Sequence, residues 1–205
     1  MPAHDPSHGY DALADSFAAS RNPDIGVATV RTWARTLPHG CAVLDLGCGT
    51  GIPITRTLIE EGLDVHAIDA SPRMVENFSA NFPGVPIVCE PAEASGFFDR
   101  QFEGVIAWGL IFLLPEESQV ALVRRVAAAL RVGGSFLFTA PEPACTWNDV
   151  LTGRVSTSLG SEAYRSQLAD AGLAVVAEHE DEGANHYLES RRSFAIPPDQ
   201  STFHP

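Results

Sequence analysis

Short apolar segments alternate with longer amphipathic segments along most of the chain. The pattern predicts seven strands, at 43–46, 64–68, 85–89, 102–107, 135–140, 173–178 and 184–189. It predicts helices at 10–20, 22–37, 52–61, 115–131 and 161–171, with a further helix that begins at Ser71-Pro72. Strands that alternate with helices are typical of an α/β domain whose parallel sheet is covered on both faces.

The first predicted strand, 43–46, runs directly into Gly47, Gly49 and Gly51. Its nearly continuous apolar sequence is typical of a strand that is buried on both faces. Glycines allow the backbone to bend sharply and let a ligand approach the main chain. Because open α/β sheets bind ligands at the carboxyl ends of their strands, this turn is predicted to cradle a ligand.

Three residues near this turn narrow the choice of ligand. The dinucleotide fingerprint has its third glycine where this chain has Ile52. Asp45 precedes the turn, and its charge disfavours a pyrophosphate but suits a cationic or hydroxyl-bearing ligand. Asp69 ends the second predicted strand, where a carboxylate can accept both hydroxyls of a ribose. Asp69 would serve NAD equally well, so a nicotinamide-dependent oxidoreductase stays open as an alternative.

The segment 43–51 (VLDLGCGTG) resembles motif I of the class I S-adenosylmethionine (SAM) methyltransferases, and 130–138 (LRVGGSFLF) is similar to a later region of that family. The resemblance covers about residues 40 to 140 by motif. It implies a Rossmann-like, doubly wound, seven-stranded sheet of order 3-2-1-4-5-7-6, with strand 7 antiparallel and helices on both faces. It also implies S-adenosyl-L-methionine as the cofactor and methyl transfer by in-line SN2 displacement.

The resemblance further implies which residues contact the cofactor. In this family the segment before motif I closes over the cofactor, the strand ends hold its ribose and adenine, and the exit of strand four faces the methyl group. The predicted cofactor contacts are Tyr10, Asp45, Gly47, Cys48, Gly49, Asp69, Ala70, Met74, Ala92, Glu93 and Trp108. Tyr10 and Phe17 fit a purely structural anchoring role equally well, and a tryptophan at a strand end is often part of the core.

The family commonly builds its acceptor pocket after strand five, where this chain has an irregular segment at 141–160. The predicted acceptor contacts are Phe17, Arg21, Phe112, Glu142, Trp147, Asn185 and Tyr187. Their aromatic content favours an aromatic or heterocyclic acceptor with an O, N or S nucleophile. His186 is the candidate general base, because imidazole titrates near neutral pH. A lone histidine on a strand also fits a packed or solvated side chain.

Composition limits the partners. The net charge is −13, from 13 basic and 26 acidic residues, which disfavours nucleic acid and anionic membranes and leaves a small molecule as the expected substrate. The four cysteines occur singly, which is typical of a reduced, cytoplasmic protein without a zinc site or another implied metal. The chain is expected to be a monomer or a homodimer.

One domain is expected over 1–205, with loose tails at 1–9 and 191–205, a helical cover at 10–37 and a substrate insert at 141–160. The leading interpretation is a SAM-dependent methyltransferase that acts on a small organic molecule. A second alternative is a non-catalytic module that binds SAM but produces no S-adenosylhomocysteine (SAH).

Overall fold

A computed structural model describes residues 5–20 and 22–193 of the chain. Its strands are β1 (Ala42–Leu46), β2 (Asp64–Asp69), β3 (Ile87–Cys89), β4 (Phe102–Ala107), β5 (Leu130–Thr139), β6 (Cys145–Asn148), β7 (Val155–Ser158), β8 (Leu173–Glu180) and β9 (His186–Arg192). Its helices are α1 (Tyr10–Ser20), α2 (Val27–Ala34), α3 (Ile54–Glu60), α4 (Pro72–Asn81), α5 (Glu116–Ala129) and α6 (Ser161–Asp170).

Seven strands form one mixed sheet in the order β3-β2-β1-β4-β5-β9-β8. The strands from β1 to β5 pair in parallel, and β9 pairs antiparallel with both β5 and β8. The predicted fold class and strand order are therefore confirmed, because β8 and β9 are the sixth and seventh strands of this sheet. Their numbers are higher by two because β6 and β7 precede them in a separate two-stranded sheet.

Helices cover both faces of the sheet, which explains why all five residues of β1 are buried. One core cluster joins the sheet to α5 and α6, and a second joins it to α2 and α3. Gly104 makes room for the second cluster, since a Cβ at this position would lie 3.1 Å from the Trp33 ring. The Trp33 Nε1–H group donates a 2.8 Å hydrogen bond to Ser135 Oγ and so fastens α2 to β5.

The segment 141–160 is more regular than predicted, because β6 and β7 pair as an antiparallel hairpin. Three of the four β6 residues are exposed. A strand with so little buried surface has no apolar alternation, so the sequence pattern gave no sign of it.

Several predicted boundaries also differ from the structure. The second helix begins at Val27 rather than residue 22, because 23–26 form a turn that ends at Gly26, whose φ is +80°. β5 begins at Leu130, and the predicted helix end at residues 133–134 is instead an irregular part of β5 where its register against β4 shifts. β9 extends to Arg192, two residues into the segment expected to be a tail.

Candidate cofactor and acceptor site

A cavity of about 390 Å³ lies at the carboxyl edge of the sheet. Residues at the ends of β1, β2, β4 and β5 form its floor, Asn185 before β9 extends one side, and Tyr10 and Phe17 of α1 belong to its wall. Small-molecule sites have volumes of about 300 to 1,000 Å³. The cavity thus reaches across the sheet edge from β2 to β9 and can accommodate small molecules.

The glycine turn forms one end of this cavity. Gly47, Gly49 and Gly51 have φ values of +66°, +55° and +79°, which side chains rarely tolerate. Gly47 and Gly49 line the cavity, whereas a Cβ on Gly51 would collide with the rings of Phe78 and Phe82. Two of the glycines therefore expose main chain to a ligand, and the third allows the turn to pack on α4.

Asp69, at the end of β2, fixes the shape of this turn. Its Oδ2 accepts a 2.8 Å hydrogen bond from the Gly49 N–H group, and its Oδ1 accepts a 2.9 Å bond from the Ser71 N–H group. Burial raises the pKa of the Asp69 carboxyl although these two hydrogen bonds act in the opposite direction. A carboxylate offers about four lone-pair positions, so Asp69 retains acceptor capacity toward the cavity.

Asp45 provides a second carboxylate beside the turn. It is 1% exposed, and its Oδ2 accepts a 2.6 Å hydrogen bond from Thr55 Oγ1 of α3. Cys48 follows it on the cavity wall, and burial raises the pKa of its thiol well above the usual value. Cys48 therefore remains a neutral thiol, and Asp45 and Asp69 supply the acidic groups at this end of the site.

Side chains after β2 and β3 form the wall beyond Asp69. Ala70 and Met74, which follow β2, and Ala92 and Glu93, which follow β3, line the cavity there. Met74 lies in the first turn of α4, where its N–H group donates a 3.1 Å hydrogen bond to Ser71 Oγ. The capped helix thus holds Met74 firmly against the cavity.

Helix α1 is fastened over the cavity at two points. The Tyr10 hydroxyl donates a 3.1 Å hydrogen bond to Asp149 Oδ2 of the insert. At the other side, Asp11 Oδ1 accepts hydrogen bonds from Ser71 Oγ and the Arg73 N–H group, at 2.7 and 3.0 Å. The predicted helical cover is therefore linked to the insert and to the first turn of α4.

A chain of buried hydrogen bonds forms the end of the cavity opposite Asp69. Trp108 Nε1–H donates to the Tyr187 hydroxyl at 2.5 Å, and that hydroxyl donates to Asp181 Oδ2 at 2.7 Å. Both oxygens of Asp181 also accept from the Asn185 amide nitrogen, at 3.0 and 2.9 Å. Burial, followed by the hydrogen bond to Asp181, raises the pKa of Tyr187, so its hydroxyl stays protonated and cannot serve as a base.

The structure brings most of the predicted site residues to one cavity. Those that line it are Tyr10, Phe17, Asp45, Gly47, Cys48, Gly49, Asp69, Ala70, Met74, Ala92, Glu93, Trp108, Phe112 and Asn185. Arg21 lies outside the described residues.

His186 does not lie at the cavity, contrary to its predicted role as general base. Its Nδ1 lies 3.2 Å from the Ala140 carbonyl oxygen and its Nε2 lies 3.1 Å from Glu178 Oε2. Successive residues of a strand face opposite sides, so within β9 His186 points away from the side that Tyr187 faces. The sequence pattern could not show which of the two sides faces the cavity.

Three predicted acceptor contacts also lie away from the cavity surface. Glu142 is exposed on the loop after β5. Trp147 packs behind Phe112, with 5.3 Å between the ring centroids. Tyr187 is fully buried beneath Trp108.

Three other groups at or behind the cavity were not predicted from the sequence. Asp181 lies in an Asp-Glu-Gly bend that predicts a turn but not a link to Trp108. Thr139 Oγ1 accepts a 2.7 Å hydrogen bond from the Gly109 N–H group and lines the cavity. His8 lines the cavity from a polar N-terminal stretch that has no periodic pattern. All three depend on tertiary contacts.

Neither a metal-ion cluster nor a membrane-spanning helix is found among the described residues. Within residues 5–20 and 22–193, no group of three or more His, Cys, Asp or Glu side chains is arranged to hold a metal ion. Over the same ranges, no helix has the length and apolar character needed to cross a membrane.

Comparisons with known proteins agree with this geometry. Residues 43–134 match a family model described as a methyltransferase domain. An uncharacterized methyltransferase of Mycobacterium tuberculosis is 35% identical over 95 residues, which cover 45% of this chain and 36% of that protein. The cypemycin N-terminal methyltransferase of a Streptomyces species is 31% identical over 142 residues, which cover 66% of this chain and 57% of that one. The chain therefore spans only about a third to just over half of these relatives.

A solved structure extends the likeness across the fold. The 1,6-didemethyltoxoflavin-N1-methyltransferase of Burkholderia thailandensis, solved with its substrate and SAH bound, superposes with a TM-score of 0.69 at 19% identity. The match covers 95% of this chain and 93% of that one. This superposition shows that the two proteins share a fold, and the match to a methyltransferase domain covers just under half of the chain, as expected from the resemblance to the class I SAM-dependent methyltransferases.

Proposed function

We propose that this chain binds SAM in the cavity and transfers its methyl group by in-line displacement to a small organic acceptor. When bound, SAM supplies a methyl group already activated by a positively charged sulfur. The observation that carries the proposal is the glycine turn with Asp45 and Asp69 at one end of a cavity whose other end is lined by Trp108 and Phe112. The family match disfavours the nicotinamide-dependent alternative.

The cavity residues suit the parts of SAM. Asp69 already orders the turn and retains lone pairs for ribose hydroxyls. Met74 and Ala92 provide apolar walls for an adenine, and Glu93 beside them provides a hydrogen-bond acceptor for its amino group. Asp45 offers a negative charge to the ammonium group of the methionine portion.

Catalysis by this chain would come mainly from positioning. Methyl transfer requires a nucleophile in line with the departing sulfur, and well-oriented reactants reach effective molarities of about 10⁵ to 10⁸ M. α1, Trp108 and Phe112 enclose the cavity on several sides and limit the entry of water. The names of two similar proteins, which describe an N-terminal and an N1-methyltransferase, support a nitrogen acceptor in particular.

The Asp69→Asn variant tests the cofactor site. An amide retains the size of the side chain but loses the charge and one acceptor, so SAM affinity should fall about 10- to 100-fold by calorimetry. Asp170→Asn, an exposed change at the end of α6, is the matched control and should leave affinity unchanged. Equal affinity in wild type and Asp69→Asn would remove Asp69 from the ribose role.

The pH dependence of binding gives a second readout. Because burial raises the pKa of Asp69, its carboxyl should protonate at a higher pH than the usual value of about 3.9. SAM affinity should therefore weaken as the pH falls toward that range, and Asp69→Asn should lack this pH dependence.

The same binding measurements separate the alternative functions. SAM binding without SAH release from any acceptor would favour the non-catalytic module, whereas binding of NADH alone would favour the oxidoreductase.

A further inference from the structure

Hydrogen bonds to Asp181 determine the orientation of the Asn185 side chain. Its amide nitrogen lies 3.0 Å from Asp181 Oδ1 and 2.9 Å from Asp181 Oδ2, and its backbone N–H group donates to the same carboxylate at 3.0 Å. A carboxylate can only accept hydrogen bonds, so the NH₂ group must face Asp181. The carbonyl oxygen Oδ1 of Asn185 therefore points away from Asp181, and Asn185 lies on the cavity wall.

Asp181 is itself held on several sides. It is 7% exposed and also accepts hydrogen bonds from the Gly183 N–H group, at 2.9 Å, and the Tyr187 hydroxyl, at 2.7 Å. Among the ion pairs found in residues 5–20 and 22–193, none includes Asp181. The described hydrogen-bond donors to this carboxylate are all neutral groups, and it lies directly behind Asn185.

The charged side chains on the rest of the wall have the same sign. The carboxylates of Asp45, Asp69, Glu93 and Asp149 line the cavity, and no arginine does so within the described part of the chain. Among the described wall residues, an anionic acceptor would meet these four carboxylates and the imidazole of His8, with no guanidinium group to pair with it. A neutral or cationic acceptor that donates hydrogen bonds fits this wall better.

We propose that the methyl acceptor is an amine carried on a flat or aromatic body, and that Asn185 holds it through an N–H···Oδ1 hydrogen bond. Asp181 is the positioning residue, because it keeps the Asn185 carbonyl directed at the acceptor. Trp108 and Phe112 supply the apolar surfaces for the body of the acceptor. This inference rests on the proposed function and names its substrate class.

The chemistry favours nitrogen over oxygen at this position. An alkylamine that arrives as its ammonium ion first releases one proton to water. The neutral amine can then donate one N–H to Asn185 and still direct its lone pair at the methyl carbon. The lone pair forms the N–C bond, the C–S electron pair leaves with sulfur, and the resulting ammonium later releases a proton to water. An alcohol needs a base to take its proton, and an amide oxygen such as Asn185 Oδ1 is not one.

Asp149 is a weaker base than an ordinary carboxylate. Burial alone would raise its pKa, but hydrogen bonds from Thr152, Tyr10 and Leu151 outweigh burial and leave the pKa lowered. Positive charge develops on nitrogen during the transfer, so the bond to Asn185 and the field of Asp181 strengthen in the transition state.

The test compares amines with alcohols of the same shape. Benzylamine, 2-phenylethylamine and tryptamine are titrated into the wild-type protein–SAH complex beside benzyl alcohol, 2-phenylethanol and tryptophol. The same compounds and the thiol benzyl mercaptan are incubated with methyl-tritiated SAM. We expect at least one amine to bind about tenfold more tightly than its alcohol, and label to enter amines alone.

Two variants test the named residues. Asn185→Ala should raise the KM for the labelled amine at least tenfold and lower kcat, with SAM affinity within about twofold of wild type. Asp181→Asn preserves the size of the side chain, but its amide can also donate, so the Asn185 amide can rotate by 180° and present its NH₂ group to the cavity. The preference for the amine over its alcohol should then shrink about tenfold. Glu182→Gln, an exposed change beside Asp181, is the control and should alter neither value.

The outcomes separate the inference from the proposed function. Failure to bind SAM or SAH would remove the proposed function. With SAH bound, the inference is overturned if no amine binds better than its alcohol, if the alcohols or the thiol carry the label, or if Asn185→Ala leaves amine kinetics unchanged. The wild-type comparison stands even if a variant does not fold.

Discussion

The two ends of the cavity are built in different ways. The cofactor end, which is the end beside Asp69, is organised around the main chain of one continuous turn, and Asp69 bonds to that turn from only 20 residues beyond Gly49. The acceptor end is built from side chains of distant segments: Trp108 and Tyr187 are 79 residues apart. A local turn fixes the shape of the cofactor end, whereas the acceptor end can change through side chains without altering that turn.

Gly51→Ala should have the largest effect, confined to the cofactor end. A Cβ there would collide with Phe78 and Phe82, and a φ of +79° is strained for alanine. Strain of about 1–2 kcal/mol and overpacking of about 1–3 kcal/mol should lower the free energy of unfolding, and SAM affinity should fall at least about 100-fold. Thermal unfolding and calorimetry measure both effects.

Gly84→Ala is the matched control for that change. Gly84 has a φ of +92°, and a Cβ there would meet nothing within 4 Å. Gly84→Ala should lower the free energy of unfolding through backbone strain alone and leave SAM affinity unchanged. If both variants lose the same free energy of unfolding, the collision with Phe78 and Phe82 of the Gly51→Ala variant adds nothing to the loss.

Gly26→Ala should have an intermediate effect, confined to the acceptor end. Its Cβ would lie 2.7 Å from the Tyr187 hydroxyl and 3.3 Å from Asp181 Oδ2. Displacement of these groups should raise the KM for an amine acceptor about tenfold and leave SAM affinity within about threefold. Gly153→Ala in the insert, where a Cβ meets nothing within 4 Å, controls for positive φ. A larger loss of SAM affinity than of acceptor binding in Gly26→Ala would show that the two ends are not independent.

Tyr10→Phe should have the smallest effect and should alter binding at both ends, because α1 is bonded both to the insert and to the first turn of α4. It removes the hydrogen bond to Asp149 but keeps the ring that packs on Phe17, with 5.5 Å between centroids. A net hydrogen bond contributes about 0.5–1.5 kcal/mol, so SAM should dissociate about two- to tenfold faster in stopped-flow measurements. Ser16→Ala, an exposed change on the same helix, should not alter this rate. An unchanged rate in Tyr10→Phe would show that this link does not hold the cover closed.

Much of the cofactor end could be predicted from sequence. Motif I and the two carboxylates can be recognised in the sequence, because the strand, the glycine turn and the helix follow each other directly along the chain. Asp69 could be located because a second parallel strand must end at the same edge of the sheet. What the sequence did not reveal is that Asp69 also fixes the turn through the Gly49 N–H group.

The acceptor end was predicted less well. Asn185 and Trp108 reach the cavity, but His186 faces the other side of β9 and Trp147 lies behind Phe112. Neighbouring strand residues alternate between faces, so an error of one position reverses the assignment. The polar cluster at 185–187 was recognised without knowledge of which face points to the cavity.

The sequence alone was enough to predict the fold class, the strand order and the glycine turn at the carboxyl edge of the sheet, because buried strands and tight turns constrain residues that are close in the chain. The hydrogen-bonded chain of Asp181, Tyr187 and Trp108 behind Asn185 became visible only in the tertiary structure. The tertiary structure also decided that α1 bridges the insert and α4. The bonds from Trp108 to Tyr187, from Tyr10 to Asp149 and from Ser71 to Asp11 join side chains at least 60 residues apart, and such pairs leave no local sequence pattern because packing brings them together.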